Sequence, residues 1–151
     1  MTLFYEDLTI GHGWTSPART ITESDVVSFA QLTGDFHPLH TNEPVAAKSR
    51  FGQRIAHGMV GLTYAIGLML TRSGEFDESI TAFLGVKDWR FTAPVFFGET
   101  IHMRYEITDR RLSKSAPSDG IVDFRVEVLN QDDEVVQAGT LTMLVSVRPN
   151  H

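Results

Sequence analysis

The sequence predicts an α+β domain in which one antiparallel sheet wraps a long buried helix. Three observations carry that reading. Gly58 to Leu70 runs thirteen residues without a charge and is apolar nearly all round, which marks a helix enclosed on most of its circumference. After the loop from Gly74 to Ser79, apolar residues recur at every second position instead of at helical spacing. The alternating segments are joined by short polar turns, the pattern of an antiparallel meander with one solvated face.

At 151 residues the chain is expected to form one domain, 1–151, and 42% hydrophobic residues, ten of them Phe, supply its core. The absence of cysteine excludes disulfides, thiolate nucleophiles and cysteine-based zinc sites. A formal charge of −6 argues against a nucleic-acid partner, which needs clustered Lys and Arg. It leaves room for a small anionic ligand on a local basic patch. Met1 to Asp7 lacks a basic region followed by an apolar one, so the expected location is cytoplasmic. The apolar run is too short to cross a bilayer, which takes about 20 residues, so no membrane association is expected.

In order, a Gly11-His12-Gly13 turn leads to a first strand, Trp14 to Ile21, interrupted by Pro17. Thr22 and Asp25 then have the spacing of a capping box, with Asp25 a shorter stand-in for the usual Glu. Val26, Phe29, Ala30 and Thr33 follow at helical spacing, and Gly34 suits a left-handed C-terminal cap. Asp35 to Asn42, with Pro38 inside it, reads as a loop, and Pro44 to Lys48 as a short helix. In the central helix, Gly58, Gly61 and Gly67 lower helix propensity but admit close neighbours. Packing at Gly61 and Gly67 is expected to leave no room for a side chain. Ile80 to Phe91 is rich in β-formers. Thr100 to Leu112 alternates Ile101, Met103, Tyr105 and Ile107 against His102, Arg104, Glu106 and Thr108. Val122 to Val128 alternates likewise. After a turn at Asn130 to Asp133, Val135 to Val147 closes the sheet, with Leu141, Met143, Val145 and Val147 on one face.

The chemistry concentrates just before the central helix. Asp35, His37 and His40 bring one carboxylate and two imidazoles within six residues on a proline-fixed loop, a candidate acid/base set. Further on, Gly58 and Met59 begin the buried helix, where backbone amides lack intrahelical partners and the dipole favours negative charge. An acid/base pair facing such an oxyanion site suits proton chemistry α to a carbonyl. The same Asp35-x-His37-x-x-His40 has the composition of a two-histidine, one-carboxylate metal set. No further ligand follows at a familiar spacing and no HExxH helix is present, so no metal is expected. His12 and His151 read as bystanders.

Gly34-Asp35-Phe36-His37-Pro38-Leu39-His40 resembles the signature Gly-Asp-x-Asn-Pro-Leu/Ile-His of the MaoC-like, or hydratase 2, family. Phe51-x-x-x-Ile55-Ala56-His57-Gly58-Met59 is similar to that family's approach to its central helix. Phe91-x-x-Pro94-Val95-Phe96-x-Gly98-Glu99 is similar to its strand-to-strand turn. The resemblance runs in order from Thr22 to Val147 and implies the hot dog fold. It puts the catalytic pair on Asp35 and His40 and the oxyanion-binding amide on Gly58, with His37, His57 and Met59 around the substrate. One residue departs from the signature, since the family's Asn before the proline is His37 here.

The resemblance implies a hydratase/dehydratase interconverting a 2-enoyl-CoA and the (R)-3-hydroxyacyl-CoA, with no cofactor. Asp35 and His40 together would hold one water, without separate assignment of acid and base. The alternatives are a hot dog thioesterase and a non-catalytic acyl-binding subunit. His40, five residues after Asp35, favours hydration over the first. Open sheet edges, together with the resemblance, imply a homodimer or a dimer of dimers. Lys87, Arg90 and Arg104 are candidates to meet the phosphates of coenzyme A.

Overall fold

The computed structural model describes residues 1–149, and only the backbone of residues 71–73; His151 lies outside the described residues. A 3-10 turn, Tyr5–Asp7, precedes two short strands, β1 (Gly13–Thr15) and β2 (Arg19–Thr20). Helices α1 (Glu23–Thr33), α2 (Pro38–Thr41), α3 (Glu43–Ala47) and α4 (Gly58–Ser73) follow. Four long strands complete the chain: β3 (Ile80–Phe91), β4 (Thr100–Leu112), β5 (Asp119–Leu129) and β6 (Val135–Ser146).

The sheet order is β1-β4-β5-β6-β3, all antiparallel, with β2 also on β4. The meander expected from the alternation is therefore β4-β5-β6. β3, although it comes first of the four, lies beyond β6 at the opposite edge, because α4 delivers the chain to that side. The alternating residues behave as their period requires. Ile101, Met103, Tyr105, Ile107, Val122, Phe124, Val126, Val128, Leu141, Met143 and Val145 form the buried face against Val60, Leu68 and Met69 of α4.

α4 is covered on most of its circumference, with Gly58, Met59 and Thr63 exposed along one stripe. The expectation about its glycines needs correction. A Cβ at Gly61 would lie 2.3 Å from the Gln137 amide, whereas one at Gly67 would meet nothing among the described residues within 4 Å. Six residues turn a helix through about 600°, so the two sites face about 120° apart and only one points at the sheet. No described helix is long and apolar enough to cross a membrane.

Candidate active site

The residues around the site are held by caps and short backbone ties. The Thr22 hydroxyl accepts from the Asp25 amide, and the Asp25 carboxylate accepts from the Thr22 amide at 2.8 Å, closing the expected capping box. Gly34, at φ +77°, ends α1 in the left-handed conformation and turns the chain into Asp35. The Asp35 Oδ1 accepts from the His37 amide at 3.1 Å, folding its side chain back over the turn. Four residues read as loop are in fact α2. A segment so short shows no periodicity, and what starts it is Pro38 at the first position with His37 as cap. His37 Nδ1 accepts from the Leu39 amide at 3.2 Å. That is a service an Asn side-chain oxygen renders at the same position, which gives the departure from the signature a local physical meaning.

α2 carries His40 inward. His40 Nδ1 lies 2.7 Å from the Ile55 carbonyl, and a carbonyl only accepts, so Nδ1 bears the proton and Nε2 holds the free lone pair. Ile55 is fixed in turn, its amide on the Leu39 carbonyl and its neighbour Ala56 on the Val95 carbonyl. Arg54 ties this segment to α1 through Glu23 and to α3 through Glu43. The chain is thus clamped just before His57.

His57, 3% exposed, donates Nε2–H to the Asp35 backbone carbonyl at 2.9 Å, and the same nitrogen is 3.9 Å from Asp35 Oδ2. Its ring stacks on His40, with centroids 3.8 Å apart and planes 28° apart, and Phe29 packs against its other surroundings at 5.0 Å. Its Nδ1 is buried without a hydrogen-bond partner among the described residues. A carboxylate oxygen of Asp35 and one ring nitrogen each of His40 and His57 lie within 4.8 Å of one another. In the tautomer set by the Asp35 carbonyl, His57 Nε2 carries a proton and so offers no lone pair there. Two atoms so close do suit one shared water at about 2.8 Å from each. Burial, the nearby His57 and the nearby His37 lower the His40 pKa, against the pull of the Ile55 carbonyl and Asp35. The free imidazole is thereby favoured.

A cleft of about 270 Å³ adjoins the trio, lined in part by Arg50, Phe51, His57, Gly58, Phe91 and Gln137. Gly58 opens α4 beside it, and its amide has no hydrogen-bond partner among the described residues. Asp35 and His40 do not line this cleft; His57 stands between them and it. Asp35 is half exposed, His37 is exposed with its ring 6.0 Å from that of His40, and Met59 is exposed and off the cleft. Lys87 and Arg104 pair across the sheet's outer face with Asp123 and Glu127. Sequence reasoning missed two cleft residues. Arg50 is an exposed cation over the Phe51 ring, without an acidic partner among the described residues. Gln137 sits on the core face of β6, in line with Leu141 and Met143, and a polar residue in that register was the available signal.

An antiparallel sheet wrapped on a central helix defines a hot dog protein, and the Asp35 and His40 side chains gathered beside His57 at the start of that helix mark its candidate site. The chain belongs to the MaoC-like domain family, whose sequence profile matches residues 9–128. It is 32% identical over 145 residues to the (R)-specific enoyl-CoA hydratase of Rhodospirillum rubrum, covering 96% of this chain and 93% of that one. For two further relatives the matched chain spans only 29% and 65% of their length. Among solved structures, the monoamine oxidase regulatory protein from Archaeoglobus fulgidus superposes with a TM-score of 0.89 at 37% identity, covering 98% and 97% of the two chains. A Mycobacterium tuberculosis protein with a double hot dog fold superposes at 0.85 over 99% of this chain and 46% of its own, at 19% identity, a likeness of fold alone.

Proposed function

We propose that the protein is a hydro-lyase that adds water across the double bond of a 2-enoyl thioester, with coenzyme A as the carrier, giving the (R)-3-hydroxyacyl thioester. The observation that carries this reading is the Asp35–His40 pair, close enough to share a water, beside a helix whose first amide, that of Gly58, has no partner among the described residues. The family and the Rhodospirillum rubrum relative support it.

In this reading Asp35 and His40 Nε2 hold the water. As its oxygen bonds to Cβ, one O–H proton passes to the pair, and the π electrons move toward the thioester carbonyl. The Gly58 N–H, at the positive end of α4, stabilises the resulting enolate oxygen. The pair then returns a proton to Cα, and the reverse sequence is dehydration. No step calls for a metal or a redox cofactor. Arg50 is the cation beside the cleft that meets the anionic end of the thioester.

The reading includes a two-fold assembly. Among the described residues β3 pairs only with β6, which leaves its other edge open, and Phe83, Leu84 and Val86 on this strand are exposed. Pairing of two such edges covers both liabilities at once. The test of function is incubation with crotonyl-CoA, following enoyl absorbance and free thiol together. Loss of absorbance without thiol release is expected. Thiol release would make the protein a thioesterase, and no change in either would contradict the proposal.

A further inference from the structure

Gln137 is a polar side chain on the core face of β6, 2% exposed, which the acid/base chemistry does not use. Several features of the chain converge on it. Its Nε2 donates to the Gly58 carbonyl at 2.8 Å, and its Oε1 accepts from the Trp89 indole N–H at 3.2 Å. Gly61 leaves the space that its amide group fills. Trp89 in turn lies over Gly139, where a Cβ would come within 2.5 Å of the indole. The indole gets there through a bulge. Lys87 pairs with Thr140 and Arg90 with Ala138, so that Asp88 and Trp89 together oppose Gly139, with Asp88 at φ +50°. Bulges serve to re-aim a side chain, and a positive φ outside glycine has to be held by its surroundings.

We propose that Gln137 is a positioning residue for the oxyanion-binding turn, locking the Gly58 backbone through the chain Trp89–Gln137–Gly58; this rests on the hydratase reading above. The turn needs an outside restraint. Glycine is the softest backbone unit, His57 makes no side-chain cap bond, and the Gly58 amide has no partner among the described residues while Val60 bonds the His57 carbonyl. An oxyanion donor is effective only if its direction is fixed before charge develops. The Gln137 bond fixes the peptide plane that follows Gly58, and with it the backbone geometry that aims the Gly58 N–H. Donation into that carbonyl also polarises the same peptide's N–H at Met59. Both ends of the Gln137 amide are hydrogen-bonded, and the side chain is almost wholly buried.

The test uses the full chain and crotonyl-CoA. Gln137→Met keeps the length and loses the donor, and kcat should fall about tenfold with KM within about twofold. Gln137→Glu can donate to the Gly58 carbonyl only while protonated, so its kcat should decline with rising pH along a limb that the parent protein lacks. A Gln137→Met kcat equal to the parent's, or a loss that merely tracks the unfolded fraction, would overturn the inference. If the parent protein hydrates no enoyl thioester, the hydratase reading fails by itself. The clamp is then read by amide hydrogen exchange: faster exchange at Gly58 and Met59 in Gln137→Met supports it, and unchanged exchange overturns it.

Discussion

The His57 imidazole stacks on that of His40 and donates its Nε2–H to the backbone carbonyl of Asp35, so one buried side chain touches both members of the proposed acid/base pair. It acts as a platform that sets the separation of the two. His57→Phe keeps the ring and removes the bond to Asp35. Turnover of crotonyl-CoA should fall about tenfold, with a stability loss of about 1 kcal/mol for the Nε2–H bond alone, since Nδ1 has no hydrogen-bond partner among the described residues to lose. Full activity in that variant would show that Asp35 holds its place unaided.

The lowered pKa of His40 has a defined consequence for pH. Burial is its main cause, followed by the nearby imidazoles, and together they outweigh the opposing Ile55 and Asp35 interactions. Since the folded value is the lower one, the unfolded chain takes up this proton first as pH falls. The stability that depends on neutral His40 is therefore complete above the ordinary value of about 6.5 and is lost as pH drops from there through the folded value. The acid limb of kcat/KM should likewise have its midpoint below about 6.5. A midpoint above that value in a pH–rate profile would contradict the role given to His40.

His37 is tested by separating its cap from its charge. His37→Asn supplies a side-chain acceptor for the Leu39 amide and should keep stability, whereas His37→Ala should cost about 1 kcal/mol. Equal melting temperatures for the two variants would mean that the cap contributes nothing.

The glycines of α4 should part company. Gly61→Ala forces a Cβ into the Gln137 amide and should cost about 1–3 kcal/mol. Gly67→Ala meets no such neighbour and should be neutral or stabilising by up to about 1 kcal/mol, as Ala replaces Gly within a helix. Thermal melts of the two proteins decide it, and matching losses would contradict the packing described.

The long elements were legible because their periods are long enough to read. Thirteen uncharged residues announce α4, and the two-residue alternation of β4, β5 and β6 identifies the face that meets it. The Thr22–Asp25 box and Gly34 give both ends of α1 from local chemistry alone. The position of β3 was not legible, since strand order depends on where α4 delivers the chain and no local pattern records it. α2 is too short to show a period. For the site, residue type and spacing gathered Asp35, His37, His40 and the amides of Gly58 and Met59 as candidates, and the family resemblance narrowed them to Asp35, His40 and Gly58. The bond from His57 to the Asp35 carbonyl and that from Gln137 to Gly58 span 22 and 79 residues, so only folding brings those partners together.

Assembly is checked by light scattering at micromolar protein. The exposed apolar edge of β3 predicts a mass at least twice that of the 16.9 kDa chain. Full activity at the mass of a single chain would refute the paired edge. Charged substitutions such as Phe83→Lys and Val86→Glu should shift the equilibrium toward the single chain.

The most direct test of the central claim is the turnover of crotonyl-CoA by Asp35→Asn. Asn keeps the size of the side chain and an acceptor for the His37 amide, so the turn before α2 survives while the carboxylate is lost. If Asp35 and His40 together activate the water, the variant should fold as the parent does and hydrate crotonyl-CoA about 100-fold more slowly or worse. An Asp35→Asn protein that turns over at the parent's rate would contradict the account.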